Sequence, residues 1–321
     1  MKFKCEIPPR NPSFTRQEKL SPVSDELFKE AITGEELTDK DFYVQLFMFI
    51  FGFGWIRIII LLFATIIFVP LIAPLPMFYN KRKFINFYMP FAEFMTRIYV
   101  RIMLFTLGVS WVRIHGKRDR KVRGLAYNHT SLIDGPLVFI YHPFTPVITI
   151  GVRKIPVIGR LLESGETIWI DRQKTEGNSK LIVNRMHDHN TNPVAVAPEG
   201  KITNGKMMFK FRTGQFLTDE PIQPISLRYT NYFSFAKTNF NFTRPSVKEF
   251  LWLCLCIPFG VIDLTFLPTL SHEVMKDRTP EERAEICQLE IANDLGVLAG
   301  SRTSKELFIK KSIPPTINKN S

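Results

Sequence analysis

Cysteine is sparse here: four in 321 residues, Cys5, Cys254, Cys256 and Cys287. Cys254 and Cys256 sit two apart in an apolar segment, where sterics oppose a mutual bridge, and no framework spacing appears. A disulfide-stapled scaffold is thereby excluded, and buried reduced thiols are expected. Met1 to about Lys40 lacks the apolar core of a secretory signal peptide, being rich in Pro, Ser and charge. Neither an Arg-rich tail nor zinc-finger spacing accompanies the net charge of +12, so the anionic partner it implies is a membrane surface and not nucleic acid. There is no internal repeat.

Hydrophobicity is unevenly distributed. From Leu46 to Val69 the chain is apolar except for Arg57, long enough to cross a bilayer, with Arg57 expected to snorkel. Pro70, Pro74 and Pro76 end the run. The basic cluster Lys81-Arg82-Lys83 follows and marks a cytosolic side. A full crossing and a re-emerging hairpin both fit. Phe84 to Val112 mixes Phe and Tyr with Glu93, Arg97 and Arg101 and reads as an amphipathic helix, lying in the interface or packing on a core. The expected organisation is a polar, flexible 1–40, membrane-anchoring and interfacial helices over 41–112, a catalytic domain over 113–300 and a polar tail over 301–321.

Beyond Trp111, short apolar runs alternate with helical ones: Gly124–Tyr127, Val147–Val152, Thr167–Ile170, Pro193–Ala197 and Ile222–Leu227. This predicts an α/β domain whose mixed, largely buried sheet is flanked by helices. Phe250 to Leu270 is apolar but broken by Pro258, Gly260, Asp263 and Pro268, and reads as a membrane-docking or buried segment. Thr279-Pro-Glu-Glu starts a helix running to Leu295, with a cap, an early Pro and first-turn acids.

The segment Tyr127-Asn-His-Thr-Ser-Leu-Ile-Asp134-Gly-Pro is the most informative. On a continuous helix, residues five apart point about 140° away from each other and could not bond. With His129 in a turn and Asp134 at the start of the following helix, the carboxylate can fold back and hold the ring. The other imidazole nitrogen is then free to act as general base. No Gly-x-Ser-x-Gly elbow surrounds Ser131, which reads as a turn or cap serine. Companion strand ends carry Asp171-Arg172 and Pro198-Glu-Gly-Lys-Ile-Thr-Asn-Gly-Lys206, as an α/β ligand site requires. His187 and His189 flank Asp188 without a third ligand cluster, so a solvated helix end is expected there and no metal.

His129-Thr-Ser-Leu-Ile-Asp134, Ile170-Asp-Arg172, Pro198-Glu-Gly200 and Pro221-Ile-Gln-Pro224 together resemble, in order and spacing, the four blocks of the glycerolipid (PlsC-like) acyltransferases. Thr203-Asn-Gly-Lys206, Phe209-Lys-Phe-Arg-Thr-Gly214 and Phe266-Leu-Pro268 look like the lysophosphatidylcholine acyltransferase branch. The resemblance spans roughly Arg113 to Leu295. It implies that His129 takes the proton from an acceptor hydroxyl attacking an acyl-CoA thioester, and that Asp134 orients the ring. It implies that Arg172 grips the acceptor phosphate; an ion pair with Asp171 or Glu199 is the other reading. It puts Glu199 and Gly200 at the acceptor pocket, with Thr203 counted among the substrate-binding positions. Lys201 stands where the family usually has Thr or Ser, so it reaches phosphate or faces solvent.

The implied partners are acyl-CoA and a lysophospholipid at the membrane of the endoplasmic reticulum, facing the cytosol, with no bound cofactor. A membrane scaffold that keeps the fold without activity is the alternative. A serine hydrolase lacks its elbow.

Overall fold

The computed structural model describes residues 14–72, 82–155, 158–171, 177–233, 235, 237–243 and 246–309. Four helices come first: α1 (Asp25–Glu30), α2 (Asp39–Phe51), α3 (Gly54–Ile72) and α4 (Arg82–Thr106). The α/β part then runs β1 (Val109–Gly116), β2 (Gly124–Tyr127), α5 (Asp134–Tyr141), β3 (Thr145–Thr149), α6 (Ile158–Ser164), β4 (Ile168–Ile170), α7 (Asn178–His187), β5 (Val194–Val196), β6 (Met207–Met208) and β7 (Ile222–Asn231). It closes with α8 (Val247–Leu255), β8 (Gly260–Phe266), α9 (His272–Met275), α10 (Pro280–Leu295), β9 (Leu298–Ala299) and α11 (Glu306–Ile309).

Seven strands form one mixed sheet in the order β1-β8-β7-β2-β5-β3-β4. β7, β2, β5, β3 and β4 are mutually parallel, while β8 runs antiparallel to β7 and parallel to β1. The buried positions of β2, Gly124 to Tyr127, are all apolar because helices cover both faces. One core layer gathers Leu125, Leu137, Ile225, Leu227, Phe250 and Ile262. The other gathers Ala126, Met186, Phe216, Cys287 and Ile291. α10 starts and stops where expected: Thr279 and Glu282 form a capping box, and Gly296 closes the helix with a left-handed φ of 69°.

Of the two readings of Phe250 to Leu270 the buried one holds: it is the end of α8 followed by β8, whose apolar residues are core because β8 is flanked by β1 and β7. One expectation is corrected. The polar stretch before α2 is not loose over residues 14–33. Gln17 bonds Asn293 and Val297, Ser21 bridges Gly300, and Phe28 is buried against Phe209 at 4.8 Å between ring centroids, under the Arg302 guanidinium. The partners lie far off in sequence, so neither periodicity nor composition announces them. Residues 301–309 are likewise attached: Ser304 is fully buried. Residues 310–321 lie outside the described residues.

α3 is long and apolar enough to cross a membrane, and little of it is buried against protein. Leu62, Phe63, Ile66 and Ile67 are exposed, while Ala64 and Ile72 pack with Tyr99 of α4. Arg57 does not snorkel. It is buried and donates to the carbonyls of Ile257 (2.5 Å) and Pro258 (2.6 Å), at the turn between α8 and β8. Those carbonyls lie in the turn just past the helix end and need donors, which the guanidinium supplies. α4 puts Val100 and Met103 on the sheet core and leaves Phe94 and Phe105 outward.

Candidate active site

The site is built at the end of β2, where the sheet's parallel strands all finish. Asn128 is buried and makes two hydrogen bonds with Leu227 of β7, donating to its carbonyl (3.0 Å) and accepting from its N–H (2.7 Å). The side chain thus continues the β2–β7 ladder past the end of the strand and fixes where the turn begins.

The turn then brings His129 back over the first residue of α5. His129 Nδ1 lies 2.9 Å from Asp134 Oδ2, which also accepts from the N–H of Thr130 (2.9 Å) and of Ser131 (2.8 Å). Asp134 is fully buried, whereas the His129 side chain is 27% exposed. Because the carboxylate is acceptor-only, Nδ1 carries the proton and Nε2 presents a lone pair. Tyr229 of β7 donates its hydroxyl to the other carboxylate oxygen, Oδ1. Ser131 is fully buried and its Oγ accepts from the Ile133 N–H, so it is a turn serine and no nucleophile.

The loop after β5 clamps the His129 backbone from both sides. The His129 N–H donates to Glu199 Oε1 (2.8 Å), and the Thr203 N–H donates to the His129 carbonyl (2.9 Å). Glu199 Oε2 accepts from the Phe209 N–H at 3.0 Å. Gly200 has φ +70°, and a Cβ there would lie 2.4 Å from Arg212 Nε. The attached termini reach this loop too: Asn204 donates to the carbonyls of Ala31 and Glu30, and Ser304 Oγ donates to the Glu199 carbonyl.

His129, Asp134, Glu199, Gly200 and Thr203 therefore sit in one hydrogen-bonded unit. Glu199 and Thr203 are buried; the Glu199 carboxyl and the Thr203 backbone N–H hold the turn. Arg172 lies outside the described residues. Asn128 and Tyr229 were missed; an Asn immediately before the His, and a Tyr at the polar end of a buried strand, were the available signals. His115 pairs with Asp263 beside Arg113, and His142 is held by the Pro143 and Asp119 carbonyls. His187 bonds Thr218 and His189 pairs with Glu220. Among the described residues, no three His, Cys, Asp or Glu side chains are grouped to hold a metal ion.

Burial outweighs the two N–H donors on Glu199 and, with Asp134's charge nearby, pushes its carboxyl up to about 8 from an ordinary 4.5. The folded state therefore binds this proton more tightly than the unfolded chain. Its contribution is fully present below about pH 4.5 and is lost as pH rises through 8, on the order of a few kcal/mol. Glu199→Gln removes the titration, so the melting temperature of the variant relative to the parent should climb between pH 5 and 8. Parallel melting curves across that range would refute it.

Residues 112–228 match the acyltransferase family model. Human lysophospholipid acyltransferase LPCAT4 is 28% identical over 208 residues, covering 62% of this chain and 39% of the relative. Over that region the chain is similar to the PlsC-like glycerolipid acyltransferases. Human lysophosphatidylcholine acyltransferase 1 is 25% identical over 213 residues, covering 64% of this chain and 39% of the relative. These matches support the resemblance to the lysophosphatidylcholine acyltransferase-like branch, and the chain spans about two-fifths of the length of such curated relatives. The fold is similar to that of the 1-acyl-sn-glycerophosphate acyltransferase PlsC from Thermotoga maritima. That match has a TM-score of 0.50 and 17% identity, covering 74% of this chain and 96% of the other.

Proposed function

We propose that the protein moves a fatty acyl group from acyl-CoA to the free hydroxyl of a lysophospholipid at a membrane surface. The observation that carries this reading is a partly exposed imidazole held at Nδ1 by a fully buried carboxylate, with Nε2 free of any hydrogen bond to the described residues. A side-chain nucleophile would occupy Nε2; its absence among the described residues leaves that position for a substrate hydroxyl. His129 Nε2 takes the hydroxyl proton as the oxygen attacks the thioester carbonyl. Collapse of the tetrahedral adduct breaks the C–S bond, and the imidazolium returns the proton to the departing CoA sulfur. Asp134 stabilises the imidazolium in between. Acyl-CoA serves as cosubstrate, and no bound cofactor or metal enters the scheme.

Arg172 is proposed to grip the acceptor phosphate, where a guanidinium can make a bidentate contact that Lys cannot. The names of the relatives support a lysophospholipid acceptor. Purified protein given labelled acyl-CoA and a panel of lysolipids tests the reading: an acylated product is expected with at least one glycerolysophospholipid. Hydrolysis alone, or no product from any acceptor, would end it. Arg172→Ala should then raise the acceptor KM far more than the acyl-CoA KM, with partial recovery in Arg172→Lys.

We also propose that α3 anchors the protein in the membrane of the endoplasmic reticulum with the α/β domain facing the cytosol, as the basic cluster beyond α3 favours. A 19-residue, largely apolar helix with little burial against protein supports this. The two carbonyls that hold Arg57 reduce the cost of carrying its charge in the bilayer. Alkaline carbonate should leave the full-length protein in the membrane pellet; release of most of it to the supernatant would refute the anchor.

A further inference from the structure

Beyond His129 and the turn, one more side chain bonds Asp134. Asp134 Oδ2 is satisfied by His129 Nδ1 and by the N–H groups of Thr130 and Ser131, which would leave Oδ1 bare in a buried site. Tyr229 fills that place. It reaches Asp134 from β7, 95 residues away in sequence, and its ring lies against Phe240 at 5.4 Å between centroids. Its position is set by the same β2–β7 pairing that Asn128 extends at Leu227, two residues earlier on the strand.

We propose that Tyr229 is a positioning residue of the proton relay: by donating to Asp134 Oδ1 it sets how strongly that carboxylate holds the protonated His129 ring. A hydrogen bond to a carboxylate draws negative charge toward the donor. With Tyr229 in place, less of the charge faces the imidazole, and the ring gives up its proton more readily to a leaving group. Burial and the Asp134 charge both push the Tyr229 phenol well above its ordinary value, so it remains a donor throughout the working range. The other titratable groups facing this unit are Tyr127 on β2, Glu199 after β5 and Cys254 in α8. Burial raises Tyr127 and Cys254 far enough to keep them neutral. Glu199, at about 8, is common to every variant compared below.

The inference rests on His129 as the base, but its test requires no turnover. Diethyl pyrocarbonate acylates only neutral imidazole, so the rate at His129, followed peptide by peptide by mass spectrometry across pH, reports when that ring loses its proton. His189, exposed on the same chain, serves as the internal reference. The full-length protein in detergent is compared with Tyr229→Phe and with Tyr127→Phe, which removes a second buried hydroxyl that does not bond Asp134.

In Tyr229→Phe the carboxylate charge is concentrated on the ring, and the midpoint should rise by on the order of one pH unit. Tyr127→Phe should leave it in place. Should Tyr229→Phe lose its cooperative melt, 3-fluorotyrosine at position 229 keeps the shape and strengthens the donor, and the midpoint should then fall. A residue that only fills space would move neither profile. Unshifted midpoints in the folded variants would overturn the proposal. Failure of the acyl-transfer assay beside a shifted midpoint would instead count against the proposed function alone. Where transfer is measured, the acid limb of kcat should follow the same shift.

Discussion

His129→Ala is expected to lower acyl transfer by about 10²–10⁴-fold, the usual worth of a positioned general base, while leaving the fold intact. The second half of that expectation comes from how the turn is held. The loop after β5 grips His129 through its backbone N–H and carbonyl, and Thr130 and Ser131 bond Asp134 through their own N–H groups. None of these contacts uses the imidazole, so removing the ring leaves the turn's hydrogen bonds in place. Asp134→Asn tests the partner. An amide oxygen at Oδ2 can still accept from the ring and the two N–H groups, and the Tyr229 hydroxyl can rotate to accept from the new amide nitrogen. The geometry then survives without the charge, and a large loss of kcat with a near-normal melting curve is expected. Near-parental turnover by a well-folded His129→Ala protein would remove His129 from the mechanism.

Gly200→Ala should be almost as damaging, from a position that supplies no reacting group. Its backbone sits at φ +70°, a region that costs an L-residue about 1–2 kcal/mol. The new methyl would also lie 2.4 Å from Arg212 Nε and 2.5 Å from Arg212 Cζ, so the loop or the guanidinium has to move. Glu199 and Thr203 hang from the same loop and fix the two ends of the His129 peptide. A displacement of about 1 Å at a base can reduce rate on the order of 10²-fold, and a loss of that size is expected together with a lower melting temperature. Arg212→Ala in the same chain removes the collision but not the backbone strain, so it should restore part of the activity. Full activity in Gly200→Ala would show that the loop does not position His129.

Much of this protein could be read along the chain. The five parallel strands, the helix opened by Thr279-Pro-Glu-Glu and the apolar α3 are local signals, because periodicity, caps and breakers act within a few residues. The pairing of His129 with Asp134 was legible for the same reason: it closes a short turn between β2 and α5. What tertiary structure alone decided are the contacts made between distant segments. Phe250 to Leu270 looked equally fit for lipid and for a core, since both are apolar solvents; its place beside β1 and β7 chose the core. Arg57 looked like a snorkelling charge until the turn after α8 put two carbonyls in its reach. Residues 14–33 carry no hydrophobic period, yet they bind through hydrogen bonds between side chains and backbone groups more than 250 positions apart. The hold of Glu199 on the His129 turn likewise appears only in the fold, where its carboxyl oxygens meet the His129 and Phe209 N–H groups. Tyr229 could be linked to Asp134 only once β7 lay beside β2. The sequence by itself determined the pairing of His129 with Asp134, because both groups lie within one turn; the tertiary structure decided what holds them, because buried carboxylates and backbone N–H groups must find partners wherever the fold provides them.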